Sequence, residues 1–292
     1  MQKAGANSAG PAPGRLYGSP VRPIRLLLLC SLCWLAACEP DPGRLTLRDV
    51  DRYTPALLQE ALEPSWAHGR VNHAVLKGHH RDALELFAEH LNAHGPRTRP
   101  ALFRFPRQRL AFYTNAHNGL ALLAWLRAGS ADGDPQRRWN PAWSTQPHAI
   151  DGQQLSLDDL AARVRAEGGR VSELLLSRGR RDGPELAAVP FHGQTYEAER
   201  GAQLRFLLNR ERAFTDTTGA VVGPAWLRTL LEPSPEQDAA PRNAPMDAAA
   251  LASFLGTHLA YEHPLRLEVL RAAREGRLVP DRPDPRIALP PR

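Results

Sequence analysis

Lysine is nearly missing from this chain: Lys3 and Lys77 are its only two. Almost all positive charge is therefore arginine, which reads as a bias of coding before a sign of function. Cysteine occurs three times, at Cys30, Cys33 and Cys38, and methionine twice. No G-x-S-x-G, no Gly-rich phosphate loop and no H-E-x-x-H is present. Nucleophile-elbow, P-loop and zincin chemistry are thereby excluded by motif. Acid is missing before Cys38, where Lys3, Arg15, Arg22 and Arg25 carry four of the formal +6 charges and leave about +2 for the rest. The basicity belongs mostly to the N-terminal segment, and a nucleic-acid partner loses its main support.

What is present at the N-terminus points to export. Arg22 and Arg25 precede LLLLCSLCWLAAC, an apolar run from Leu26 too short for a permanent span. Basic residues, a short apolar stretch and small residues before a cleavage point make residues 1–37 a signal peptide. Leu35-Ala36-Ala37-Cys38 resembles the bacterial lipobox, in which the cysteine is diacylated, freed at its amine by cleavage, and acylated again. An ordinary signal that happens to end in cysteine is the alternative. Three acyl chains would hold the protein permanently, where one gives marginal binding at roughly 0.8 kcal/mol per buried CH₂. Glu39 after the cysteine, in place of Asp, resembles sorting to the outer membrane, with the domain facing the periplasm. Val21 is an alternative start to Met1. Residues 38–45 form a lipidated tether. Cys30 and Cys33 leave with the signal and Cys38 carries lipid, so the mature domain has no thiol for catalysis, disulfide or metal.

The remaining chain has helical patterning with few strand signals. Residues 46–62 and 71–76 read as helices, and Leu84, Phe87 and Leu91 place another over 82–94, stopped by Gly95-Pro96. Residues 108–127 form the most apolar helix. Residues 132–148 read as loop. Asp151-Gly152 between short alternating runs signals a β-hairpin over 148–157. Ser156 and Asp159 make a capping box for a helix that stops at Gly168-Gly169. Residues 171–177 are strand or helix. A helix over 196–214 would bury Leu204, Leu207, Leu208 and Ala213, followed by a proline-rich loop at 232–245 and helices at 247–259 and 264–275. Five prolines make 279–292 an extended or disordered tail. The expected class is α+β: a helix-dominated single domain over 46–278 with a small hairpin or sheet.

Chemistry-bearing residues concentrate in AFYTNAHNGLALLAWL, residues 111–126. Asn115 and Asn118 share a helix face, with His117 about 200° round from Asn115. Asparagine is a poor helix former and must be hydrogen-bonded when buried, so the pair is read first as amides that tie down neighbouring loops. A binding or catalytic role is the alternative, with His117 as base. His192 in VPFHGQTY, with Tyr196, is a candidate cleft. Arg178, Arg180 and Arg181 are a candidate anion site against a solvated turn. His90 and His94 have helix spacing for a metal, but no third ligand is evident, so no metal or cofactor is expected. His79-His80 reads as solvated loop, and His258 and His263 carry no motif.

FYTNAHNGLALLAWL resembles the signature F-W-I-N-x-Y-N-A-L of the bacterial and plant domain-of-unknown-function family 547. VNHAVLKGHHRDALELFAEHL resembles its N-terminal helices, HAIDGQQLSLDDL its hairpin and S-L-D-D helix start, and GPELAAVPFHGQTYEAERGAQLRFLLN its C-P-x-L segment with the helix after it. The resemblance covers roughly residues 70–260 and implies a fold distantly like papain or transglutaminase. It also implies a thiol site that this chain lacks. Gly183 stands where the family has cysteine before Pro184, and Ala161 and Ala162 stand where it has a Glu-His pair. The expectation is a degenerate member: a lipoprotein that binds or scaffolds an envelope protein or ligand, attached to the membrane through Cys38. The rival is a residual hydrolase or transferase with a non-thiol site around His117 or His192.

Overall fold

PRQRLAFYTNAHNGLALLAWLR forms one helix, Pro106–Arg127, and every residue from Leu110 to Leu126 is buried. A helix apolar around its whole circumference must lie inside its domain, and the other elements are layered about this one. The computed structural model describes residues 53–67, 70–128, 140–178, 180, 183–210, 213–217, 220–233 and 243–282. The expected signal peptide, Cys38 and the expected tether lie outside the described residues. All described residues belong to one compact unit, Thr46–Arg292.

In chain order α1 is Ala56–Leu62, and the two-residue strands β1 (Trp66–Ala67) and β2 (Arg70–Val71) pair with each other. Then come α2 (His73–His79), α3 (Arg81–Ala93) and the central α4 (Pro106–Arg127). A short turn of helix, α5 (Ala142–Thr145), precedes the hairpin β3 (His148–Ile150) and β4 (Gln153–Leu155). Next are α6 (Leu157–Gly168), α7 (Arg170–Glu173) and α8 (Tyr196–Leu208). The C-terminal third holds β5 (Thr215–Thr217), β6 (Ala220–Gly223), α9 (Arg228–Leu231), α10 (Ala248–His258), α11 (Arg266–Arg274) and β7 (Leu278–Pro280). The fold is a helix-dominated α+β domain with two small two-stranded sheets and one of three strands. Among the described residues no helix is long and apolar enough to cross a membrane.

Helix α4 packs on α3, α6 and α8. Gly119 permits the approach of α3, because a Cβ there would lie 2.6 Å from the Phe87 ring. Arg109 on α4 grips Glu167 on α6 through Nε and Nη2 at 2.7 and 2.8 Å, a two-point fork. Helix α6 opens as its sequence dictates: Ser156 Oγ accepts from the Asp159 amide at 3.0 Å, and Asp159 Oδ2 accepts from the Ser156 amide at 2.8 Å. Gly169, with φ +70°, closes it.

The hairpin turns at Asp151 and Gly152, both at positive φ (53° and 66°), as a two-residue turn of this type requires. Its tip does more than reverse the chain. The Asp151 and Gly152 amides donate to the carbonyls of Leu91 and Asn92, closing the end of α3. The wholly buried Asp151 carboxylate accepts from the amides of Arg97 and Thr98 and from the Thr98 hydroxyl, at 2.7 to 3.0 Å. A Cβ on Gly95 would stand 2.4 Å from that carboxyl, so only glycine fits there.

Several elements differ from the sequence expectation. The helix over 196–214 stops at Leu208: the Asn209 backbone amide still donates to the Arg205 carbonyl, while its side chain turns to the next segment, Nδ2 donating to the His258 carbonyl (2.9 Å) and Oδ1 accepting from the Ala260 amide (2.5 Å). Ala213 is therefore outside the helix and only half-buried. Residues 171–177 are a single helical turn followed by extended chain. The start of the expected tail is a strand: β7 pairs parallel to β6, Val222 opposite Val279. Pro280 is tolerated because β7 lies at the sheet edge. The expected loop at 132–148 contains α5, and residues 129–139 and 283–292 lie outside the described set.

Asp151→Ala should lower the unfolding free energy by about 2 kcal/mol, since it removes the buried carboxylate that gathers the amides of Arg97 and Thr98 and the Thr98 hydroxyl. Urea denaturation reads this directly, and an unchanged midpoint would refute the role.

Candidate functional site

Buried irregular backbone needs partners, because each peptide carries a donor and an acceptor that water no longer reaches. Two such segments lie beside α4, at 174–177 and 186–192. Asn115 serves the second. Its Nδ2 donates to the Phe191 carbonyl at 2.7 Å, and its Oδ1 accepts from the Phe191 amide at 2.8 Å. The same Nδ2 reaches the Tyr53 hydroxyl at 3.2 Å. Burial pushes that phenol well above its usual range, against the smaller effect of the Asn115 bond. Asn118 serves the first segment: Nδ2 donates to the Leu175 carbonyl at 2.9 Å, and Oδ1 accepts from the Ser177 amide at 2.8 Å. Each amide spends a donor and its oxygen on main chain.

His117 has no exposed surface. Its Nδ1 lies 3.3 Å from Asn118 Oδ1, an oxygen that already accepts from Ser177, so Nδ1 carries the proton. Nε2 is left as a buried lone pair with no hydrogen-bond partner. Burial pushes its pKa down to about 3, and the Arg178 guanidinium adds to the fall while the Asn118 bond opposes it. The ring is neutral at any ordinary pH and reaches no outside substrate in this packing.

His192 differs on each count. It follows the clamped Phe191, and its own amide donates to Glu199 Oε2 at 2.7 Å. Its ring Nδ1 lies 3.0 Å from Glu199 Oε1, which also accepts from the Thr195 hydroxyl at 2.7 Å. The side chain is 44% exposed. Glu199, on the first turns of α8, was not legible as a site residue; its only signal is a carboxylate seven residues after a histidine. Thr195 hands its proton to Glu199 and not to the ring, so no nucleophile–base–acid chain forms. Tyr196 departs from the cleft expectation. It is wholly buried, with its ring 5.7 Å from that of Phe191. Burial raises its pKa, and the neighbouring hydroxyls of Ser172 and Thr114 partly offset that rise.

The arginine turn disperses. Arg178 is paired with Asp158 at 2.7 Å, which leaves it little free charge for an anion. Arg180 is half-buried, and Arg181 lies outside the described residues. Ala161 is packed in the core on α6, Ala162 is half-buried, and Gly183 sits beside Arg180. The rings of His90 and His94 stack at 4.2 Å, and among the described residues no group of three metal-ligating side chains occurs.

No family model, curated protein or solved structure matches the chain, so the likeness to family 547 rests on its sequence motifs alone.

Asn118→Leu should lower stability by about 3 kcal/mol, because the Leu175 carbonyl and Ser177 amide are left buried without partners; a variant as stable as the wild type would refute the clamp. The histidine gives a pH test. The folded pKa lies below the ordinary 6.5. Above pH 6.5 the contribution is complete, and it is lost as acid protonates the unfolded chain first. Stability should fall by up to about 1.4 kcal/mol per pH unit from this group between about pH 6 and 4. His117→Leu should flatten that slope in denaturation curves measured across the range.

Proposed function

We propose that this protein is a lipoprotein held at the outer membrane through Cys38, whose domain, of the family-547 type, faces the periplasm as a binding or scaffolding module. One observation carries the reading of the domain. The polar side chains of α4 are turned onto the protein's own backbone, Asn115 on Phe191 and Asn118 on Leu175 and Ser177. They maintain a shape and present no reactive group. The anchor is supported by the lipobox-like Leu35-Ala36-Ala37-Cys38 and by Glu39.

A second reading, a hydrolase or transferase that activates water, is favoured by the carboxylate-oriented and exposed ring of His192. It asks Glu199 to fix the ring while Nε2 takes the proton. The Thr195 hydroxyl donates to Glu199, so the attacking group in this reading is water.

Cys38→Ala should move the protein from the membrane pellet to the soluble periplasm and abolish labelling by palmitate. Retention in the membrane would overturn the anchor. Crosslinking from envelope membranes separates the two roles: a scaffold captures the same partner with His192→Ala as without it. Turnover of an ester or peptide that disappears in His192→Ala would favour the enzyme.

A further inference from the structure

A cleft of about 270 Å³ lies between α6, α7 and α9, away from the polar face of α4. Arg165, Arg170, Arg228, Thr229, Glu173 and Glu232 line it. Its two carboxylates are already engaged, Glu173 by Arg165 and Glu232 by Arg228, each at 2.7 Å. Among the described residues Arg170 is paired with no carboxylate. This guanidinium, 5% exposed, is held only by carbonyls: Nη1 by those of Thr229 (2.7 Å) and Glu232 (2.5 Å), and Nε by that of Asn243. Carbonyls satisfy its hydrogens without neutralising its charge, and a buried charge is stable only when compensated. Its Nη2 donates to nothing among the described residues.

Two further donors share the cleft. Arg228 Nε is buried without a hydrogen-bond partner, and Thr229 brings its hydroxyl to the lining. Among the described residues the lining holds three arginines and two glutamates, an excess of one positive charge, together with an Arg228 Nε that lacks an acceptor. We infer that this cleft binds a small oxyanion, the carboxylate or phosphate group of a compact ligand. Arg170 supplies the charge and the two hydrogens of Nη2, the one nitrogen of its guanidinium not bonded to carbonyls, and Thr229 and Arg228 supply flanking donors. The volume admits the anion with a short organic body and no large ligand.

Calorimetric titration of the full chain in detergent at low ionic strength tests this, with inorganic phosphate and succinate as separate probes. Saturable one-to-one binding of either is expected, and the probe bound more tightly identifies which oxyanion is read. Thr229→Val should weaken binding about tenfold and Arg170→Lys at least as much, while Arg178→Gln leaves it unchanged. Circular dichroism checks that each variant folds; should Arg170→Lys unfold, Thr229→Val decides. No binding of either probe, or binding indifferent to Thr229→Val, would overturn the site.

Discussion

The structure depends on asparagine amides standing in for missing backbone partners. Asn115 pairs with Phe191 in both directions, and Asn118 takes one acceptor and one donor from 175–177. Asn209 does the same with His258 and Ala260. Each amide lies along an irregular chain as a neighbouring strand would. Asparagine suits this because its side chain is a peptide group on a short stem; aspartate lacks the donor and leucine lacks both functions. Magnitudes explain why the helix tolerates it. Asparagine in place of alanine costs a helix roughly 0.7 kcal/mol, whereas each buried group left unpaired costs about 1–3 kcal/mol. Two groups satisfied per residue outweigh the lost propensity several times over.

What could be read from the sequence was what neighbouring residues decide. The long helix, the Asp151-Gly152 turn and the Ser156–Asp159 cap are all set within a few positions, and the structure places each where the pattern put it. That the α4 asparagines are buried also follows from the apolar run around them. Which chain each would hold does not, because Phe191 lies 76 residues from Asn115 and Leu175 lies 57 from Asn118. Strand β7 hid for the same reason: its partner β6 lies on the far side of α9, α10 and α11, and prolines masked the short edge strand. Tyr196 departs from the cleft expectation because a phenol reads as amphipathic, while here the ring packs beside Phe191 and its hydroxyl is buried without a hydrogen-bond partner among the described residues. Asp151 was seen only as a turn residue, since nothing local reveals that Arg97 and Thr98 come to its carboxylate.

The shortage of lysine has a structural counterpart. Arg170 gathers three carbonyls from 229–243, and Arg266 gathers those of Gly256, Leu259 and Ala260. One guanidinium has five donors in a fixed plane and can join several loops at once, where an ammonium offers a compact point charge. A count of positive residues therefore overstates the field such a chain projects, because part of its arginine serves as internal bracing. The exception is a brace whose plane is only partly used, which is the situation of Arg170.

Shape and chemistry are linked through the chain itself. The segment that Asn118 holds at Leu175 continues directly from α7, which carries Arg170 and Glu173. The residue that Asn115 holds, Phe191, is followed at once by His192. The buried amides thus fix the outlying groups at both margins of the domain without touching anything those groups would meet. Loss of function on replacing Asn115 or Asn118 is accordingly no sign of a direct role, since a displaced backbone would move His192 or Arg170 equally. Only a readout at the margin, with the fold intact, distinguishes an asparagine that positions from one that reacts. The geometry places both on the positioning side, because each amide holds main chain through both its nitrogen and its oxygen.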